Sequence, residues 1–172
     1  VLTNGLYTAL ELMKIDSVNV HLLGGNLNKI LLDTKGTDTM SQIGMHHSDI
    51  AFISCRGITA RGSFDPNDDE TAVKRAFAEN STKVVLFADS SKFNKTFLNV
   101  SLGYDVIDAI ISDAPFPEDI QEVCRNKNVE MLNEIYTFET IDSYLPFFYE
   151  RVESFFDYFK GYTFIIDDLK RC

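Results

Sequence analysis

The residues best equipped for chemistry stand together at Asp89-Ser90-Ser91-Lys92, directly after the apolar run Val84-Val85-Leu86-Phe87-Ala88. A carboxylate, two hydroxyls and an ammonium within four residues suit a small ligand that is anionic, hydroxylated or both. A lysine among hydroxyl and backbone N–H donors matches a phosphate-like anion. The apolar run reads as a buried strand of parallel type. Ligands in open α/β sheets sit just beyond the carboxyl ends of strands. The ordinary alternative is a strand that simply ends in a polar turn.

A second group has the same character. Ser54-Cys55-Arg56-Gly57 follows the apolar Ala51-Phe52-Ile53 and brings an arginine to the end of another buried strand. Asn4-Gly5 and Gly24-Gly25 close two further apolar stretches. Glycines there let backbone N–H groups approach a ligand, or serve only as turns. Arg56 and Lys92 would neutralise a phosphate, and Asn4 and Asp89 would bind hydroxyl groups. Glu70 and Lys74 stand four apart in a helical pattern, the spacing of a surface ion pair. His46-His47 lacks the converging ligands that a metal site needs. Cys55 beside Arg56 reads as an idle or buried thiol rather than an activated one. No cofactor is expected.

Stepping outward from these residues, strands alternate with helices. Apolar runs predict strands over 18–23, 50–53, 83–88, 106–111 and 129–132, with a short one over 29–32. Helical spacing predicts helices over 6–13, 38–45, 68–80 and from Pro117 to about 126. The helix over 68–80 opens with Asp68, Asp69 and Glu70, which favour its dipole. Gly62, Pro66 and Asn67 predict a loop over 61–67. Alternating β and α units imply a mostly parallel open sheet flanked by helices.

After Leu132 the composition changes. Half of the 14 Phe and five of the 7 Tyr lie beyond that point. Residues 146–159 read as an aromatic-rich helix with Phe148, Val152, Phe155, Phe156 and Phe159 on one side, and 162–166 as a strand. The stripe suits either extra core or a subunit contact.

At 172 residues the chain suits one domain with a real core. Its formal net charge of −10 argues against this region gripping nucleic acid, which needs clustered Lys and Arg. No apolar run reaches membrane-spanning length, and no signal peptide stands at Val1. The chain starts without Met and reads as N-terminally incomplete. Cys55, Cys124 and Cys172 leave at least one thiol unpaired, in keeping with a reduced cytoplasm. The sequons at Asn80, Asn94 and Asn99 carry no meaning in that compartment.

Taken in order, Leu2-Thr3-Asn4-Gly5, Leu22-Leu23-Gly24-Gly25, Asp49 to Gly57, Asp69 to Arg75 and Asp89 to Phe93 resemble one known pattern. It is that of the sugar-phosphate-sensing domain of DeoR-family bacterial transcriptional regulators. The resemblance covers 1–132 and leaves 133–172 as an aromatic extension packed on it. It implies the ribose-5-phosphate isomerase/CoA-transferase-like fold, a phosphorylated sugar effector and homo-oligomers. DNA would be bound by a separate N-terminal winged helix that is not in this chain, and no membrane is involved. The site it implies comprises Asn4, Gly24, Gly25, Ser54, Arg56, Gly57, Glu70, Lys74, Asp89, Ser90, Ser91 and Lys92. It also implies an upstream Asp-x-Gly-x-Thr type loop that precedes Val1. The alternative is a sugar-phosphate isomerase of the same fold. Such enzymes carry an acidic cluster where Ser54-Cys55-Arg56-Gly57 stands here, so a general base is missing from the expected place.

Overall fold

The computed structural model describes residues 1–133 and the strand Phe164–Ile166. The expected aromatic helix over 146–159 lies outside the described residues. Chain order runs β1 (Leu2–Thr3), α1 (Leu6–Leu12), β2 (His21–Leu22), β3 (Asn26–Asn28), β4 (Asp33–Lys35) and α2 (Thr37–Gly44). It continues through β5 (Ser48–Ser54), β6 (Gly57–Thr59), β7 (Gly62–Asp65), α3 (Asp68–Glu79) and β8 (Ser81–Phe87). A single 3₁₀ turn, Ser90–Lys92, precedes β9 (Asn99–Val100), β10 (Ala109–Ser112), α4 (Glu118–Lys127), β11 (Glu130–Asn133) and β12 (Phe164–Ile166).

Seven strands form one sheet in the order β11-β10-β8-β5-β12-β1-β2, and every pairing in it is parallel. The central strand β5 is apolar along most of its length because both faces are covered. Ala51 and Ile53 enter the main core with Leu86, Ile110, Phe77 and Ile120. Phe52 and Ile50 point the other way, toward Leu12, Val85 and Phe87. That alternation is the two-residue period of a strand. Two small antiparallel sheets, β3-β4 and β6-β7-β9, lie outside this frame.

Several boundaries differ from the sequence expectation. The strand expected over 29–32 is instead the turn between β3 and β4. Asn28 Oδ1 accepts from the N–H groups of Ile30 and Leu31, and Leu32 has φ 55°. An Asn side chain that captures local donors competes with strand pairing. The loop expected over 61–67 contains β7, paired with β6 on one side and β9 on the other. Gly62 and Pro66 bracket that strand rather than break it. At 18–23 only His21–Leu22 pairs as a strand.

The strand expected at 162–166 is present as β12, and it lies inside the sheet. It pairs with β1 through Leu2↔Ile165 and with β5 through Ile165↔Ala51. The last described strand thus separates β1 from β5.

Candidate functional site

Because all seven strands of the main sheet run the same way, their carboxyl ends share one edge. Asn4 follows β1, Gly24 lies beyond β2, Cys55 and Arg56 follow β5, Asp89 follows β8 and Asp113 follows β10. Parallel pairing makes this alignment unavoidable, since β5 and β8 run in step from Ser48↔Ser81 to Ser54↔Phe87.

The Asp89–Lys92 segment is a built turn. Asp89 Oδ1 accepts the Ser91 N–H at 2.9 Å, and Lys92 Nζ lies 3.5 Å from Asp89 Oδ2. Burial pushes the Asp89 carboxyl up, but the Ser91 hydrogen bonds and the Lys92 charge outweigh it and hold it below its ordinary value. Ser90 and Ser91 are exposed, whereas the Lys92 side chain is 14% exposed.

Arg56 reaches the same neighbourhood through the backbone. Its N–H donates to Phe64 O at 3.0 Å, which fastens it to β7. Two residues on, Ile58 bridges to Phe93, and the Asn94 N–H donates to Ile58 O at 2.9 Å. The segments carrying Arg56 and Lys92 therefore run side by side. Gly57 permits this, because a Cβ there would collide with the Lys95 carbonyl. Arg56 is half-buried, and its guanidinium has no hydrogen-bond or ion-pair partner among the described residues.

On the far side of β12, Asn4 is 2% exposed. Its Nδ2 donates to Thr34 O at 3.0 Å, which fixes the amide, since a carbonyl can only accept. Asn4 Oδ1 is buried with no hydrogen-bond partner among the described residues. A buried acceptor left unserved costs about 1–3 kcal/mol. A ligand hydroxyl would relieve it.

Other residues named from the sequence have different surroundings. The Gly24 N–H donates to Gln42 Oε1 at 3.0 Å, and Gly24 O accepts from Thr39 Oγ1 at 2.8 Å, so both backbone groups bind α2. Gly25 has φ 144°, and a Cβ there would strike Thr39 and approach the Lys35 carbonyl, 2.9 Å away. Ser54 is wholly buried. Lys74 is 1% exposed and turns inward to Asp65, and Glu70, 5% exposed, accepts from Asn67 Nδ2 at 3.0 Å. Glu70 and Lys74 are thus buried rather than on the surface that an i,i+4 pair would occupy.

Three residues at or below the edge escaped the sequence reading. Asp65 holds Lys74. Lys35, on β4, pairs with Asp69 at 3.3 Å. Asp113 binds Ser90. Only Asp113 had a signal, as a carboxylate just past the next strand. Among the described residues no group of three or more His, Cys, Asp or Glu could hold a metal. No helix among them is long and apolar enough to cross a membrane.

A parallel sheet whose carboxyl edge carries polar turns is the architecture of α/β ligand-binding domains. This chain belongs to the DeoR C-terminal sensor domain family, whose model matches residues 1–114. It is 31% identical over 133 residues to the glycerol-3-phosphate regulon repressor of Escherichia coli (strain K12), covering 76% of this chain and 52% of that one. It is 30% identical over 132 residues to a putative aga operon transcriptional repressor of Escherichia coli O157:H7, covering 76% and 49%. A third relative is the L-fucose operon activator of Haemophilus influenzae, 27% identical over 130 residues, covering 75% and 52%. The chain spans about half the length of the curated relatives it matches.

Proposed function

We propose that this sensor domain binds a phosphorylated sugar at the carboxyl edge of its sheet and reports it to a DNA-binding domain elsewhere in a transcriptional regulator. The observation that carries the reading is the pairing of two cationic segments at one edge of a chain with net charge −10. Arg56 stands half-buried with no partner for its guanidinium among the described residues, and Lys92 stands in a turn held by Asp89. A guanidinium and an ammonium on adjoining segments suit an anion, while the Asp89 and Asp113 carboxylates beside them are engaged in hydrogen bonds within the turn. Lys92 and Arg56 hold the phosphate. Asn4 Oδ1 and Asp89 accept hydroxyls of the sugar. Gly57 supports the site by letting the two segments meet, Ser91 offers its hydroxyl to the phosphate, and Ser90, whose N–H and hydroxyl serve Asp113, shapes the turn. Lys74, Glu70 and Ser54 shape the floor from below, and Gly24 and Gly25 set the wall toward α2.

The names of two relatives, one for a glycerol-3-phosphate regulon and one for an L-fucose operon, support this chemistry. A regulator of this kind works in the cytoplasm as a homo-oligomer, since two-fold operators need paired subunits. Sensing is preferred to isomerase turnover because the family and these relatives are transcriptional regulators.

The test is a thermal-shift panel of phosphorylated sugars beside their unphosphorylated forms. Ligand binding to the native state raises the melting temperature by mass action. At least one phosphorylated member should raise it while its unphosphorylated partner does not. A flat panel, confirmed by calorimetry, removes the reading.

A further inference from the structure

The parallel register of β8 and β10 sets Ile111 opposite Phe87, and the Ala88 N–H donates to Ile111 O at 3.0 Å. Two residues beyond Ile111, Asp113 stands beside the turn that carries Lys92. Its Oδ1 accepts the Ser90 N–H at 2.6 Å, and its Oδ2 lies 3.3 Å from the Ser90 hydroxyl, which donates to it. Ser112 Oγ lies 3.4 Å from Asp113 Oδ1 on the strand side. Both carboxylate oxygens therefore grip main chain and side chain of the first residue of the turn.

A three-residue 3₁₀ turn has little stability of its own. Ser90 and Ser91 are exposed, so packing does not hold them. The turn is fixed at its start by Asp113 and across its middle by Asp89, which takes the Ser91 N–H. Lys92 closes the turn, and the next residue, Phe93, bridges to Ile58, so the start of the turn and its end together set where the ammonium stands. A carboxylate this close to an anion site would ordinarily repel the ligand. Here its lone pairs already serve donors 23 residues away in sequence.

We infer that Asp113 is a positioning residue for the anion site: it touches no ligand and acts by holding the Ser90–Lys92 turn so that Lys92 meets the phosphate. This rests on the sugar-phosphate reading above. Two mechanisms predict opposite signs. If Asp113 acts only through its charge, Asp113→Asn strengthens anion binding. If it acts through its acceptors, Asp113→Ala weakens binding and Asp113→Asn, which keeps one acceptor, recovers part of the loss.

The experiment titrates the whole chain with orthophosphate and with the best sugar phosphate of the panel, in wild type, Asp113→Ala, Asp113→Asn, Lys92→Ala and the Asp113→Ala/Lys92→Ala double variant. Asp113→Ala should weaken both ligands about five- to thirty-fold, as expected for charge-assisted hydrogen bonds. In the Lys92→Ala background the same change should cost less than about twofold, because the positioned group is gone. An equal loss in both backgrounds overturns the inference, since Asp113 would then act on the fold at large. Wild-type affinity in Asp113→Ala overturns it while leaving the sugar-phosphate reading intact. No binding of either ligand by wild type removes both. If the alanine variant does not fold, Asp113→Glu, which displaces both oxygens and keeps the charge, carries the same expectations.

Discussion

Lys74 Nζ donates to Asp65 Oδ1 at 2.7 Å with the two side chains 2% and 0% exposed, so helix α3 is tied to strand β7 by an ion pair sealed from water. The same strand receives the Arg56 N–H at Phe64. Removing one partner strands the other charge in the interior. Lys74→Met should cost about 3–5 kcal/mol in urea unfolding. Lys74→Met combined with Asp65→Leu should recover part of that, because the Asp65 carboxylate is no longer left in the interior without its ammonium. A double variant as unstable as the single would show that the pair is not the reason for the loss.

Lys92 predicts the opposite profile. Lys92→Ala should cost much less stability than Lys74→Met, because its partner Asp89 keeps contact with water while Asp65 is sealed from it. It should weaken a phosphorylated ligand by about 1.5–3 kcal/mol. Arg56→Lys should also impair binding, because an ammonium does not replace a bidentate guanidinium. Calorimetric titration reads both, and unchanged affinity in Lys92→Ala would take Lys92 out of the site.

Strand β12 is flanked by β1 and β5. Ending the chain after residue 160 deletes β12 and exposes a row of unpaired N–H and C=O groups in mid-sheet. The shortened chain should aggregate or lose its cooperative transition by circular dichroism. A soluble, cooperatively folding product would mean that β1 and β5 can close without β12.

Two glycines should respond differently to the same change. Gly57→Ala places a Cβ against the Lys95 carbonyl, and backbone must move to make room. The cost should be about 1–3 kcal/mol of stability, with weakened ligand binding as the 92–95 segment shifts. A Cβ added at Gly44, in α2, would meet nothing within 4 Å among the described residues. Gly44→Ala should be neutral or stabilise by up to about 1 kcal/mol. Denaturant midpoints of the two variants test this directly.

The Asp89 carboxyl titrates below its ordinary value in the folded chain. A depressed folded pKa adds stability that is fully present above the unfolded value, near about 4, and is lost as pH falls through the folded one. The stability difference between wild type and Asp89→Asn should therefore be flat from about pH 5 to 7 and shrink on acidification. A difference that grows as pH falls would reverse the sign assigned here.

Elements with strong local patterns are legible in the chain alone. The apolar runs at Ile50-Ala51-Phe52-Ile53 and Val84-Val85-Leu86 could only be buried strands, and the acidic first turn with Ala72, Val73, Ala76 and Phe77 made α3 legible. Parallel connectivity then brought Asn4, Arg56 and Asp89 to one edge without further information. Tertiary structure decided what depends on partners distant in the chain. Lys74 turns inward because Asp65, nine residues earlier, waits beneath α3, and helical spacing alone cannot tell that face from a solvated one. Asp113 meets Ser90 only through the register of β8 with β10. The place of β12 between β1 and β5 follows from a pairing across more than a hundred residues. Hydrophobic periodicity reports which face of a segment is buried, but hydrogen-bond pairing decides its neighbour, and that choice is settled only when the sheet closes.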